Sequence, residues 1–499
     1  MGKTYEIGTK FNNILTKDVI ESWGTDNIIL NGATGSGKTF FVENNLHKYC
    51  KENFKNILFL CNRRALLNQV SQEVNELGLN SMEVMLYQTL QNKLRNKEEI
   101  EKYDYIVCDE FHYVLSDAMF NKYTDITYNY ITTKENTCTI FMSGTAHSMF
   151  NTLKNKEIVK EENEYIIPYS YDYVTELQFY RKKHDVINII KDKLENTSDK
   201  IIYFVNSTSF AMDVYKTFEK EAIFICSKHT KYSEARKLNN MKGIKKYSED
   251  LITFNARLLV ATKALDNGVS LRDRAIKHII SDIFDLESDQ QSLGRKRPID
   301  ENDTCTFYIR KYTRKEIGGF KGKLNAQYIP LSMFVEDRDK YDDMYGNDRE
   351  YHNDYIYSEG NQRIYNKLAY WKMICQGAEI DFMEQVGYKE VLLGRLGDTI
   401  KNVIDREVDE EIERKGILQE YLENIRGKKI YKTEREEFIE MVGYRNKNKR
   451  LIKTEEKIAS HLEKKFDSKY KLISDTDWSR KLDDGSDNIN YSKSYWLIQ

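Results

Sequence analysis

The 499-residue chain carries no charge excess of either sign, since 77 Lys and Arg stand against 79 Asp and Glu for a formal net charge of −2. That excludes a global basic field of the histone kind, although backbone N–H groups, hydroxyls and a few arginines can hold phosphates without one. There is no C-x-x-C pair and no Cys/His cluster, and the seven cysteines lie far apart. The expectation is a reduced, cytosolic protein without structural zinc. No apolar run approaches the roughly 20 residues that span a bilayer, and the opening MGKTYEIGTK lacks an apolar signal core. A soluble, cytoplasmic chain with no membrane partner is therefore expected. Single cores mostly stop growing at about 250 residues, so two or three domains are expected at this length.

What the chain does have begins at Asp26 to Val42, DNIILNGATGSGKTFFV. A short apolar strand runs into a glycine-rich turn and then a helix start. Gly32 to Thr39 fits G-x-x-x-x-G-K-[ST] at every fixed position, in the strand–loop–helix context that gives the pattern its meaning. Gly32, Gly35, Ser36 and Gly37 build a turn whose N–H groups can wrap a polyphosphate. Lys38 brings a point charge to the β and γ phosphates, and the Thr39 hydroxyl stands where Mg²⁺ would bind.

Apolar runs at 56–61, 82–86, 103–107 and 137–142, separated by helical spacing, read as a parallel α/β sheet. Ligands in such sheets bind outside the carboxyl ends of the strands. At one such end stand Asp109 and Glu110. Asp109 can hold Mg²⁺, and Glu110 can accept a proton from an attacking water. At another, Ser143-Gly144-Thr145-Ala146 offers hydroxyls that either bridge to another domain or cap the next helix. Arg63 and Arg64, read alone, are a solvated helix start. A second α/β alternation follows Pro168, with strands near 201–205, 222–225, 258–260, 276–280 and 305–309. It has no phosphate loop of its own, but it carries Gln291 and the arginine-rich run Gly294-Arg295-Lys296-Arg297.

Taken in order, these segments resemble the superfamily 2 helicases and translocases of the DExH-box subgroup. GATGSGKT resembles motif I, the run from Asn62 to Gln69 motif Ia, DEFH motif II and SGTA motif III. IYFVNS resembles motif IV, ATKALDNGVS motif V and QSLGRKR motif VI. The resemblance covers about residues 1 to 312 and implies two tandem RecA-like lobes, 1–165 and 166–312, that bind Mg-ATP between them. It implies that Gln291 and Arg295 reach across from the second lobe. Arg64, Thr89, Asn206 and Thr262 would grip the backbone of a nucleic acid, DNA ahead of RNA. His112, Ser143, Thr145 and Asp266 would couple hydrolysis to lobe closure. One device of some helicases, a glutamine upstream of the phosphate loop that reads adenine, is missing from residues 1–26. Motif VI also departs from the family, because its usual second arginine position holds Pro298. Either Arg297 serves on a shifted backbone, or Arg295 serves alone.

Residues 313–499 lie outside the resemblance and read as a mostly α-helical accessory region. Pro330 and 335–357 read as an exposed linker or loop, followed by a helix over 362–375. Thr433-x-x-Glu436 reads as a capping box. The order helix, basic turn (445–450), helix, strand suits a winged-helix module, while a merely solvated basic loop remains the plainer reading. This region could also bind a protein partner. Alternatives to a helicase are a translocase that moves on duplex without separating strands, and an ATP-switched loading or binding component of a replication or defence assembly.

Overall fold

The computed structural model describes residues 2–33, 35–62, 67, 70–72, 74, 76, 78–227, 230–248, 251–262, 270–346, 353–397, 399–446, 450–482 and 484–499; for 346 and 406–413 only the backbone element is described. Contacts divide the chain into Met1–Ile404 and Asp405–Gln499.

The first unit holds two seven-stranded sheets. In the first, β1 (Lys3–Thr4), β2 (Ile28–Gly32), β3 (Ile57–Cys61), β4 (Met82–Leu86), β5 (Tyr105–Cys108), β6 (Cys138–Ser143) and β7 (Glu164–Ile167) take the order β1-β7-β2-β6-β5-β3-β4. Every pair is parallel. The central runs, such as Ile28-Ile29-Leu30 and Leu58-Phe59-Leu60, are apolar at consecutive positions because both faces of the sheet are covered by packed side chains. Parallel strands also point their carboxyl ends to one edge, and that edge collects the conspicuous polar segments of the sequence.

The second sheet is built from β8 (Val174–Tyr180), β9 (Lys200–Val205), β10 (Ala222–Ile225), β13 (Leu258–Ala261), β14 (Ile276–Asp282), β15 (Cys305–Arg310) and β18 (Val403–Asp405). Its order is β10-β13-β9-β14-β15-β8-β18, and a small antiparallel hairpin, β11 (Ile244–Lys246) with β12 (Ile252–Phe254), lies outside it. These are two RecA-like lobes. The helices used below are α1 (Lys38–Phe41), which continues through a π turn at Val42–Leu46 into His47–Glu52, then α2 (Tyr87–Arg95), α3 (Tyr113–Ala118) and α4 (Leu286–Leu293).

The stretch after the second lobe departs from the sequence expectation. Pro330 lies inside a 23-residue helix, α5 (Arg314–Glu336), and is buried. A proline removes one i→i−4 hydrogen bond, and here the packing of Pro330, Leu331 and Phe334 offsets that loss. A further helical turn (Arg338–Tyr341) falls within the expected loop, and a hairpin, β16 (Ile356–Glu359) with β17 (Gln362–Tyr365), begins at its end. The expected helix over 362–375 instead starts after that hairpin, as α6 (Lys367–Val386), followed by α7 (Tyr388–Leu396). Leu331, Leu368, Ala369 and Met373 join the core of the first lobe. Ile317, Ile380, Met383 and Tyr388 join that of the second.

The second unit has its own core. It comprises α8 (Arg406–Ile425), α9 (Arg435–Val442), α10 (Glu455–Lys465) and the antiparallel pair β19 (Leu472–Thr476) and β20 (Ser494–Ile498). Ile430, between α8 and α9, makes an isolated antiparallel bridge to Trp496 of β20. The capping box expected at Thr433 does not form. The helix begins at Arg435, and Glu434 instead accepts from the Tyr431 N–H at 2.9 Å. In the basic turn, Arg445 bridges to Leu451, and 447–449 lie outside the described residues.

Candidate active site

β2 delivers the phosphate-loop sequence at its carboxyl end, and the loop turns on Gly35 (φ 90°) and Gly37 (φ 82°). Both angles belong to the left-handed region that a side chain resists. The Lys38 ammonium folds back onto the loop and donates to Gly32 O (2.6 Å) and Ala33 O (3.0 Å). Ser36 Oγ donates to Ala33 O at 2.7 Å. Thr39 is half-buried on the first turn of α1.

Two residues that sequence reasoning passed over hold this loop, and a third packs beside it. Lys10 Nζ donates to Gly35 O (2.6 Å), and the Phe11 N–H donates to Ser36 O (2.9 Å). The Phe11 ring lies where a Cβ on Gly32 would meet it at 2.7 Å. Tyr169, from the crossover after β7, packs its hydroxyl against Gly144. A single sequence gives no sign of these buttresses, since nothing distinguishes them from ordinary surface or core residues until the chain is folded.

β5 ends at Cys108, and Asp109 and Glu110 follow. The Asp109 carbonyl accepts from Tyr87 Oη at 2.9 Å. Glu110 has φ 48°, a left-handed turn rare outside glycine. It lets the Phe111 N–H reach Met142 O on β6 at 2.9 Å, tying this segment to the strand that ends in Ser143. His112 Nδ1 stands 3.2 Å from Glu110 Oε2 and 3.1 Å from Ser143 Oγ. Burial and the neighbouring Glu110 charge raise the Asp109 carboxyl well above its ordinary range. Burial would raise Glu110 as well, but His112, Lys38 and Arg295 together hold it low, so Glu110 is the ionised member of the pair.

The second lobe closes on this edge. From α4, Gln291 Nε2 donates to Thr145 Oγ1 at 2.8 Å and lies 2.9 Å from His112 Nε2. His112, Ser143, Thr145 and Gln291 thus form one hydrogen-bonded group spanning both lobes. Arg297 crosses the cleft, with Nη1 only 2.7 Å from where a Cβ on Gly35 would lie. Its Nε is buried without a hydrogen-bond partner among the described residues, and burial, then the Arg295 charge, lower its pKa to about 10. Arg295 is buried close enough to act on Glu110 electrostatically. Burial likewise lowers the pKa of Lys38, and the Arg297 charge adds to that against Glu110 and Asp109. A cavity of about 530 Å³ opens beside the loop, lined by Lys10, Gly35, Tyr169, Tyr173, Arg272 and Arg297 among others.

Three positions expected to meet nucleic acid lie just after strands of the two sheets. Thr89 is exposed in the first turn of α2, after β4; Asn206 is exposed directly after β9; Thr262 is buried directly after β13. Arg64 and Asp266 lie outside the described residues. Among the described residues no group of three or more His, Cys, Asp or Glu could hold a metal unaided. None of the described helices is long and apolar enough to cross a membrane.

Two RecA-like lobes meet at this edge, with a phosphate loop on one and Arg297 of the other lying against Gly35. Residues 10–84 match the family described as type III restriction enzyme, res subunit. No curated protein sequence matches the chain. Among solved structures, S. cerevisiae Dbp5 bound to RNA and ADP BeF3 is 14% identical with a TM-score of 0.40, over 58% of this chain and 79% of that one. The DEAD-box helicase Mss116 bound to ssRNA and UDP-BeF is 14% identical with a TM-score of 0.45, over 65% and 80%. Mss116p bound to ssRNA and AMP-PNP is 15% identical with a TM-score of 0.44, over 65% and 80%. At these scores the likenesses carry no argument about this chain.

Proposed function

We propose that the protein is a DExH-type helicase that hydrolyses ATP between a lobe formed by residues 1–165 and one formed by 166–312, and uses the cycle to move along and unwind DNA. The supporting observation is the bond pair from Gln291 to Thr145 and His112. His112 also faces Glu110, so the group that would activate water and the contact between lobes belong to one network. A change at one is felt at the other.

The donors fit a polyphosphate. Lys38 is held by loop carbonyls that phosphate oxygens can replace, and Arg297, whose Nε has no hydrogen-bond partner among the described residues, lies against the cradle at Gly35. Gly32, Gly35, Ser36, Gly37 and Lys38 bind the phosphates in this reading. Thr39 and Asp109 would hold a magnesium ion, which neutralises phosphate charge when bound. Glu110, ionised and oriented by His112, takes the proton of the attacking water. Arg295 and Arg297 supply positive charge from the second lobe, a contribution worth about 10³ to 10⁵ in rate for arginine fingers. Thr89, Asn206 and Thr262, with Arg64 and Asp266 assigned from their motifs alone, serve the nucleic-acid and coupling roles. The accessory role expected of 313–499 falls to 405–499, a winged-helix-like module with three helices, an antiparallel strand pair and a bridge from Ile430 to Trp496, and a surface for a protein partner.

The test is ATP hydrolysis titrated with single-stranded DNA, duplex DNA and RNA, run beside a strand-separation assay. Stimulation by single strands together with separation is expected. Stimulation by duplex alone without separation would replace the reading with a duplex translocase. Hydrolysis indifferent to all three would leave an ATP-driven switch for a loading complex.

A further inference from the structure

Gln291 can reach the first lobe only if α4 is held at the right height and rotation; Ser281 of β14 bonds Asp289 of α4 from within the second lobe, and further contacts reach α4 from outside the helicase motifs. Its cap is local, as Asp285 accepts from the Ser288 N–H at 2.9 Å. Two other contacts come from the carboxyl-terminal helices. Gln290 Nε2 donates to Arg395 O at the end of α7 (3.0 Å), and Glu287 Oε2 meets Lys372 Nζ of α6 at 3.1 Å. Glu287 precedes Gln291 by one helical turn, so the two stand on the same face of α4. The pair is enclosed, with side chains 9% exposed for Lys372 and 13% for Glu287.

α6 is itself anchored in both lobes. Asn366 at its N-cap donates to Ala118 O of α3 at 2.7 Å, and Leu368, Ala369 and Met373 lie in the first lobe's core. Ile380 and Met383, further along the same helix, lie in the second lobe's core. A charge fixed on such a helix reports the spacing of the lobes to whatever it binds.

We propose that Lys372 is a positioning residue for ATP hydrolysis, acting through Glu287 to set α4 so that Gln291 meets His112 and Thr145. This rests on the ATP-hydrolysis reading above. Lys372 touches no part of the phosphate loop, so it governs turnover and leaves nucleotide binding alone. It also makes the helices after residue 312 working parts of the site.

The experiment uses the full chain carrying Lys372→Met, Lys372→Arg, or the exchange Lys372→Glu with Glu287→Lys, each with and without Gln291→Ala. The readings are kcat and KM for ATP with saturating single-stranded DNA, thermal melting, and amide hydrogen exchange over 286–293. Lys372→Met should lower kcat by roughly tenfold or more with KM little changed, and should add no further loss to Gln291→Ala. Lys372→Arg and the exchange should recover most of the rate, which guards against a merely misfolded Met variant. Exchange over 286–293 should rise in Lys372→Met. A kcat loss that multiplies with that of Gln291→Ala, or a full rate in Lys372→Met, overturns the inference. So does unchanged amide exchange, whatever the activity; a wild-type chain without hydrolysis overturns the functional reading instead.

Discussion

Gly144 sits where three parts of the site meet. A Cβ there would stand 2.1 Å from Tyr169 Oη and 2.7 Å from the Gly32 carbonyl. The tyrosine could be trimmed, but the phosphate-loop backbone could not. Gly144→Ala is therefore expected to cost about 1 to 3 kcal/mol through overpacking. Tyr169→Phe should not rescue it. Melting with and without an ATP analogue checks this, and an unchanged melting temperature would refute the close approach. For the chemistry itself, Lys38→Ala and Glu110→Gln should each abolish DNA-stimulated hydrolysis, by about 10² to 10⁴ for loss of a general base. Glu110→Gln should still bind ATP. Normal turnover in that variant would show that the base has been misassigned. The question of Arg297, open on the sequence because Pro298 occupies the usual position, is sharpened by geometry: its guanidinium lies against Gly35. Arg297→Ala should therefore weaken turnover together with Arg295→Ala, as measured by single-turnover hydrolysis.

Among the elements, the helix starts show how far local patterns reach. Thr433-x-x-Glu436 and Thr313-x-x-Glu316 both spell a capping box. Only the second forms: Thr313 Oγ1 accepts from the Glu316 N–H (3.3 Å) and Glu316 Oε2 from the Thr313 N–H (2.9 Å). At the first, Glu434 holds the N-cap position without a side-chain cap bond, and its carboxylate accepts from the Tyr431 N–H instead. Thr313→Ala should cost about 1 kcal/mol, read as a lower melting temperature, whereas Thr433→Ala should be neutral. Equal losses would contradict the assigned helix starts. Pro330 carries the same lesson. Proline predicts a break from local terms alone, and burial in a shared core outweighs it.

At the scale of the whole molecule, the boundary that matters lies at residue 404. A chain ending at 404 should keep nucleic-acid-stimulated hydrolysis, because both lobe cores and the Lys372–Glu287 contact remain. One ending at 329 should lose it, because Leu331, Leu368, Ala369 and Met373 leave the first lobe's core. Equal activity in the two truncations would refute the integral role of α5 and α6. The sequence by itself determined the two parallel sheets and the polar segments at their strand ends, including Asp109 and Glu110, together with Lys38 and Gln291 on the helices that follow. Continuous apolar runs and a fixed-spacing phosphate loop are local patterns, and parallel strands bring their carboxyl ends to one edge. Only the tertiary structure decided that Lys10 and Phe11 buttress the loop, that Tyr169 packs on Gly144, that Arg297 lies on Gly35, and that α6 belongs to both lobes. Those are contacts between residues far apart in the chain, chosen by packing and burial, and no local pattern encodes the partner.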